Sequence, residues 1–273
     1  MTKTRDEAEL KKIALQTRRD IIEMIYRAKS GHPGGSLGAA EILVGLYFGE
    51  MNHRPDEPEW PDRDRFVLSK GHVCPVYYAV LAQAGYFETE KLCTFRKIDS
   101  KLQGHPCMLK TPGVDISSGS LGQGLSVGNG MALAGKLDGK DYRVYVLMGD
   151  GEVQEGQVWE AAMTAAHYGL DNVCAIIDYN NLQIDGTVSD IKEIAPLEDK
   201  WRAFGWHVIG IDGHSFAQIF AALDEARATG GKPTIIIANT TKGKGVSYME
   251  NECGYHGKAP DDEGYKQAMA ELV

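Results

Sequence analysis

No stretch of this chain approaches the roughly 20 consecutive apolar residues of a helical membrane span, so no membrane partner is expected. Cysteine is scarce and unpaired in pattern: five residues (Cys74, Cys93, Cys107, Cys174, Cys253), an odd number with no Cys-X-X-Cys spacing. This argues against a disulfide framework or a zinc site and fits reduced thiols. Positive charge is in deficit, with 29 Lys and Arg against 38 Asp and Glu and a formal charge of −9. Such a balance argues against a general nucleic-acid surface. The opening MTKTRDEAELKKIA is charged and helical in pattern and lacks an apolar signal core, so the expected location is the cytoplasm. Internal repeats, linkers and low-complexity tracts are also missing.

What remains is a chain of 273 residues, 43% apolar, long enough to bury a sizeable core. Its 32 glycines suit a fold with many strand-end turns. Helical periodicity over 6–29 predicts an amphipathic opening helix, stopped by Ser30-Gly31-His32-Pro33-Gly34-Gly35 and followed by an apolar helix over Leu37–Met51. A polar loop over Asn52–Asp64 leads to a strand at Arg65–Leu68, then helices over Cys74–Ala84 and Thr89–Phe95. An irregular segment (Ser100–Ser118) precedes a small-residue helix that Ser120–Gly124 opens and that ends near Leu137. Strands are expected at Val144–Met148, Val173–Ile177, Trp206–Ile211 and Thr234–Asn239. Helices are expected at Gly156–Tyr168, Leu197–Phe204, Phe216–Ala228 and Asp262–Leu272, with Asp185–Pro196 a loop. This alternation implies one α/β domain, a doubly wound, mainly parallel sheet with helices on both faces.

Gly149-Asp150-Gly151 and Asn180-Asn181 close the two strands of one βαβ unit. In a right-handed unit these strands are parallel and end on the same sheet edge, so Asp150 and Asn180 should meet there. A carboxylate, an amide oxygen and a backbone carbonyl are hard ligands suited to Mg²⁺ or Ca²⁺. The glycines let the backbone approach a diphosphate beside a helix N-terminus. Either half alone also reads as an ordinary strand-end turn.

Four histidines lie in loop contexts: His32 (GHPGG), His72 (SKGH), His105 (GHP) and His256 (YHGK). Imidazoles can bind phosphate, hydroxyl and carbonyl oxygens and move protons near neutral pH, although each alone also reads as a turn histidine. Their spacing matches no zinc motif. Gly122-Gln123-Gly124 with Gly128 loosely evokes a nicotinamide-dinucleotide turn, but polar Asp115–Ser120 before it is no clear strand. Lys242 and Lys244 read as solvated lysines of a flexible loop, with approach to a ligand as the alternative.

The segments SGHPGGSLGAAEIL, DRFVLSKGH, GHP, SLGQGLSVGNGMALA, GDGEVQEGQVWEA, DYNNLQIDG and HGKAP occur in the order found in transketolases. From Ser30 to Pro260 the chain resembles the N-terminal, diphosphate-binding domain of that family, and most closely the N-terminal subunit of two-chain transketolases. The α subunits of 2-oxoacid dehydrogenases share the GDG and NN pair, but SGHPGGS and SKGH favour the transketolase branch. The resemblance implies the thiamine diphosphate-binding fold, with thiamine diphosphate and Mg²⁺ as cofactors and Ca²⁺ or Mn²⁺ able to substitute. It further implies that Asp150, Asn180 and the Leu182 carbonyl hold the metal, while Gly149, Gly151, His72 and His256 approach the diphosphate. Gly119, Ser120 and Leu121 match the turn beside the aminopyrimidine, with Ser120 in place of the family's proline. His32, His105 and His256 match histidines that bind donor-sugar hydroxyls and stabilise the covalent intermediate. Glu155 matches an interface glutamate that communicates with the second active site of the dimer, although a first-turn glutamate complementing a helix dipole would look the same.

In the family, a catalytic glutamate and the arginines for sugar phosphates lie in a pyrimidine-binding domain. The expectation is therefore a single diphosphate-binding domain over 1–273, with the pyrimidine-binding and C-terminal domains on a separate chain in an α₂β₂ assembly. The implied reaction is transfer of a two-carbon ketol unit from a ketose phosphate to an aldose or aldose phosphate. Two-chain enzymes for apulose 4-phosphate or sulfosugars are variants of this reading. A non-catalytic regulatory subunit is the rival from another class.

Overall fold

The computed structural model describes residues 3–273, so Met1 and Thr2 of the charged opening lie outside the described residues. Five strands, β1 (Arg65–Leu68), β2 (Val144–Gly149), β3 (Val173–Tyr179), β4 (His207–Asp212) and β5 (Thr234–Asn239), form one sheet in the order β1-β2-β3-β5-β4. Every pairing is parallel. The helices are α1 (Glu7–Ala28), α2 (Pro33–Gly38), α3 (Ala40–Val44), α4 (Cys74–Ala84), α5 (Gly124–Leu137), α6 (Gly156–His167), α7 (Val188–Lys192), α8 (Leu197–Ala203), α9 (Phe216–Ala228) and α10 (Asp262–Glu271).

The strands are continuous apolar runs because both faces are covered. Alternate residues split between two cores. Phe66, Leu68, Tyr145, Leu147, Cys174 and Ile176 face one core with α1, α3, α4 and α9. Val67, Val144, Val146, Val173, Ala175 and Ile177 face the other with α5, α6 and α8. The expected doubly wound architecture is therefore the one observed.

Local signals explain the helix ends. The Asp6 side chain caps α1 by accepting the Glu9 amide at 2.8 Å, and Lys29 closes it in the left-handed conformation. Gly85, at φ 95°, stops α4 in the same way.

Two expectations are corrected. Pro33-Gly34-Gly35 does more than stop α1: Pro33 occupies the first turn of α2, where its missing amide hydrogen costs nothing, and Ser36 donates to the His32 carbonyl at 2.6 Å. The Asp185–Pro196 loop contains the short helix α7, whose N-cap Thr187 accepts the Asp190 amide at 3.1 Å.

Candidate active site

The carboxyl ends of four parallel strands open onto one cleft of about 340 Å³. In such sheets ligands bind beyond these ends. Lys70 and His72 follow β1, Asp150 and Gly151 follow β2, Asn180 and Leu182 follow β3, and Lys242 follows β5; all seven line the cleft.

Asp150 joins the two halves of the sequence signature. Its Oδ1 accepts the Gly151 amide at 2.7 Å, and its Oδ2 accepts the amides of Asn180 at 2.8 Å and Asn181 at 2.5 Å. Asn181 holds the left-handed conformation at φ 58°, which asparagine tolerates better than most residues. The turn is completed by the Leu182 amide, which donates to Asn180 Oδ1 at 3.1 Å.

Charge in the cleft is closely coupled. Lys70 pairs with the buried Asp178 of β3 by reaching across the end of β2, and the Thr240 hydroxyl donates to the other Asp178 oxygen. Burial and the neighbouring Asp178 raise the Asp150 carboxyl to about 6. An incoming cation would offset that penalty. Lys242 is only 2% exposed. Its ammonium donates to the Leu182 carbonyl at 2.8 Å and contacts His256 Nδ1 at 2.9 Å. Burial, with Lys70 opposing its charge, lowers it to about 8.

Three histidines from distant segments converge here. The rings of His32 and His72 and those of His72 and His256 lie 5.1 Å apart, and those of His32 and His256 lie 5.5 Å apart. Burial, reinforced by Arg96, lowers His32 to about 4, and burial with Lys242 lowers His256 to about 3. His72 is lowered well below its ordinary value by burial and Lys70. The cleft therefore presents neutral imidazoles at neutral pH. His32 Nδ1 is buried and has no protein partner, leaving a polar atom ready for a ligand.

Of the residues singled out from sequence, His32, His72, Gly119, Leu121, Gly149, Asp150, Gly151, Glu155, Asn180, Leu182 and His256 all line this one cleft. Glu155 is exposed at its edge, where it precedes α6. Ser120 and His105 are exposed and lie outside the lining; a Cβ on Gly119 would stand 3.3 Å from the His105 ring, so His105 packs against that turn. The solvated reading of Lys242 is overturned by its burial against Leu182 and His256, whereas Lys244 is part-exposed beside Glu250. Sequence reasoning also passed over Lys70, Asp178 and Glu152. The signal available was charged residues at the ends of apolar strands, where solvation alone does not explain them.

A parallel sheet with a Gly-Asp-Gly turn and an Asn-Asn turn facing each other at its carboxyl edge defines the thiamine diphosphate-binding α/β class. Residues 10–272 match the family model described as transketolase, thiamine diphosphate binding domain, and the chain belongs to the transketolase family. It is 48% identical over 251 residues to the 6-deoxy-6-sulfo-D-fructose transketolase subunit of Clostridium sp. (strain MSTE9), covering 92% of this chain and 91% of that protein. It is 44% identical to an apulose-4-phosphate transketolase subunit of Phocaeicola vulgatus, covering 94% of this chain and 91% of that protein. The transketolase structure from Campylobacter jejuni superposes with a TM-score of 0.92 at 36% identity, over 98% of this chain but 43% of that one. The chain thus spans about two fifths of the length of that solved transketolase.

Proposed function

We propose that this chain is the N-terminal subunit of a two-chain transketolase that moves a two-carbon ketol unit from a ketose phosphate to an aldose. The observation that carries the reading is the Asp150 carboxylate bound to the Asn180 and Asn181 amides under three imidazoles in one cleft. One carboxylate, one amide oxygen and one carbonyl make a hard donor set that fits Mg²⁺, with Ca²⁺ or Mn²⁺ as substitutes. Asp150, Asn180 and the Leu182 carbonyl would hold that ion. Gly149, the Gly151 amide, His72 and His256 would receive the diphosphate, and Gly119, Ser120 and Leu121 would border the pyrimidine ring. Bound thiamine diphosphate would supply a carbanion-stabilising centre.

His32, His105 and His256 are assigned to the donor sugar. Neutral imidazoles donate and accept hydrogen bonds, so they can orient hydroxyls without adding positive charge to the cleft. Glu155, exposed at the cleft edge, is assigned to communication with the second active site of the assembly. The glutamate that activates the cofactor and the arginines that read the sugar phosphate are assigned to a partner chain in a cytoplasmic α₂β₂ assembly. The Clostridium and Phocaeicola relatives support this reading, one named for sulfofructose and one for apulose 4-phosphate.

The test is reconstitution. The chain and its C-terminal partner are co-purified and assayed with ketose phosphate, apulose 4-phosphate and 6-sulfo-ketose donors. Activity should require both chains, thiamine diphosphate and a divalent ion. Ketol transfer by this chain alone at the rate of the pair would sink the reading.

A further inference from the structure

Glu152 has a carboxylate that neither the metal set nor the histidine cluster uses, and it is only 3% exposed. Its Oε1 accepts the Gly122 amide at 2.9 Å and the Ser69 hydroxyl; its Oε2 accepts the Gly149 amide at 3.1 Å. Ser69 Oγ in turn accepts the Gly124 amide at 3.2 Å. One side chain thus ties the end of β1, the end of β2 and the turn that opens α5. The glycines make the contact possible. A Cβ on Gly124 would stand 2.3 Å from Ser69 Oγ, and Gly122, at φ +82°, would bring a Cβ within 2.8 Å of Glu155.

The two backbone donors belong to turns that the proposed function assigns to different parts of the cofactor. Gly149 precedes Asp150 and Gly151 at the diphosphate end. Gly122 follows Gly119, Ser120 and Leu121 at the pyrimidine end. We propose that Glu152 is a positioning residue that fixes the spacing between these two turns, so that one cofactor molecule engages both at once. This inference rests on the cleft being a thiamine diphosphate site. A planar carboxylate suits the task because both of its oxygens accept. Glutamine cannot replace it: with its oxygen toward Gly122, its NH₂ faces the Gly149 amide, and with the amide turned over, it faces the Gly122 amide. Either way one turn loses its acceptor.

The test compares two probes by calorimetry on this chain assembled with its C-terminal partner: thiamine diphosphate with Mg²⁺, and inorganic pyrophosphate with Mg²⁺. Pyrophosphate needs only the diphosphate end, whereas the whole cofactor needs both ends in register. Glu152→Gln should bind thiamine diphosphate at least tenfold more weakly and bind pyrophosphate within twofold of wild type. Ser69→Ala keeps the carboxylate and removes only the hydroxyl bridge; it should shift the same ratio in the same direction, and it decides the matter if Glu152→Gln does not fold. Equal losses for both probes would mean a merely structural role and overturn the proposal, as would no loss for either. A wild-type complex that binds pyrophosphate no less tightly than the whole cofactor would overturn it too, because the pyrimidine end would then contribute nothing. If the wild-type two-chain complex binds neither probe, the cofactor reading itself fails and this inference fails with it.

Discussion

The Lys242 ammonium donates to the Leu182 carbonyl at 2.8 Å, the backbone oxygen assigned to the metal. A buried cation therefore lies against a proposed metal ligand, and its other partner, His256, carries no negative charge. Burial without a carboxylate partner is unfavourable, which is why Lys242 is lowered to about 8. Lys242→Met should stabilise the ligand-free chain by ~1–3 kcal/mol, the order implied by that shift. The same substitution should weaken binding of Mg²⁺ pyrophosphate at least tenfold by removing a positive charge from the anion site. Thermal unfolding without ligand and calorimetry with ligand measure the two effects. Lower ligand-free stability would show that the ammonium is a structural contact.

Asp150 is the second point of test. Its carboxylate lies near Asp178 and accepts three backbone amides, so removing it relieves repulsion but leaves those amides without an acceptor. Asp150→Ala should therefore change ligand-free stability only modestly, by ~2 kcal/mol or less. It should abolish the stabilisation by thiamine diphosphate and Mg²⁺, which for the wild type at a hundredfold excess over Kd amounts to about 2.7 kcal/mol. An unchanged ligand-induced rise in melting temperature would remove Asp150 from the metal site.

Much of this arrangement was legible in the residues. Arg65–Leu68, Cys74–Ala84, Phe216–Ala228 and Thr234–Asn239 have the bounds that periodicity suggested, because glycine, proline and capping residues mark their ends. The meeting of Asp150 with Asn180 followed from βαβ geometry alone. The Lys70–Asp178 pair did not, because it joins the ends of β1 and β3 across β2, and strand order is a tertiary property. Lys242 was misread because Thr241-Lys242-Gly243-Lys244-Gly245 has the composition of a solvated loop. Its burial comes from a long-range backbone contact, the Gly243 amide donating to the Gly34 carbonyl at 2.8 Å, which presses the loop onto α2.

That contact yields a backbone prediction. Gly243 has φ +81°, and a Cβ there would stand 2.2 Å from the Met249 carbonyl oxygen. Gly243→Ala should therefore cost more than ~2 kcal/mol, combining left-handed strain with a backbone clash. It should also weaken pyrophosphate binding by displacing Lys242. Gly254→Ala, where a Cβ would meet nothing within 4 Å, is the control and should lie within ~0.5 kcal/mol of wild type. Equal denaturation midpoints for the two variants would contradict the assigned packing.

The same loop is held from the core side through Glu41. Both Glu41 oxygens accept the Arg18 guanidinium at 2.7 Å, and Oε2 also meets His214 Nδ1 at 2.9 Å. The Thr241 amide donates to His214 Nε2 at 2.8 Å, so Nδ1 carries the hydrogen and donates to Glu41. Burial alone would raise Glu41, but His214 and Arg18 outweigh it and hold the carboxyl at about 2 against an ordinary 4.5. A depressed carboxyl contributes stability that is fully present above the unfolded value and is lost as pH falls through the folded one. Acid should thus erode this contribution between about pH 4.5 and about pH 2. Glu41→Gln should cost ~3–5 kcal/mol at pH 7, because it strands the buried Arg18 charge. Its urea-unfolding free energy should fall less steeply than that of wild type across the acid window. It should also weaken pyrophosphate binding at pH 7, because His214 would lose its anchor and the Thr241–Lys242 segment would loosen with it. Parallel pH profiles for wild type and variant would mean that Glu41 is not the carboxylate whose protonation drives this acid loss.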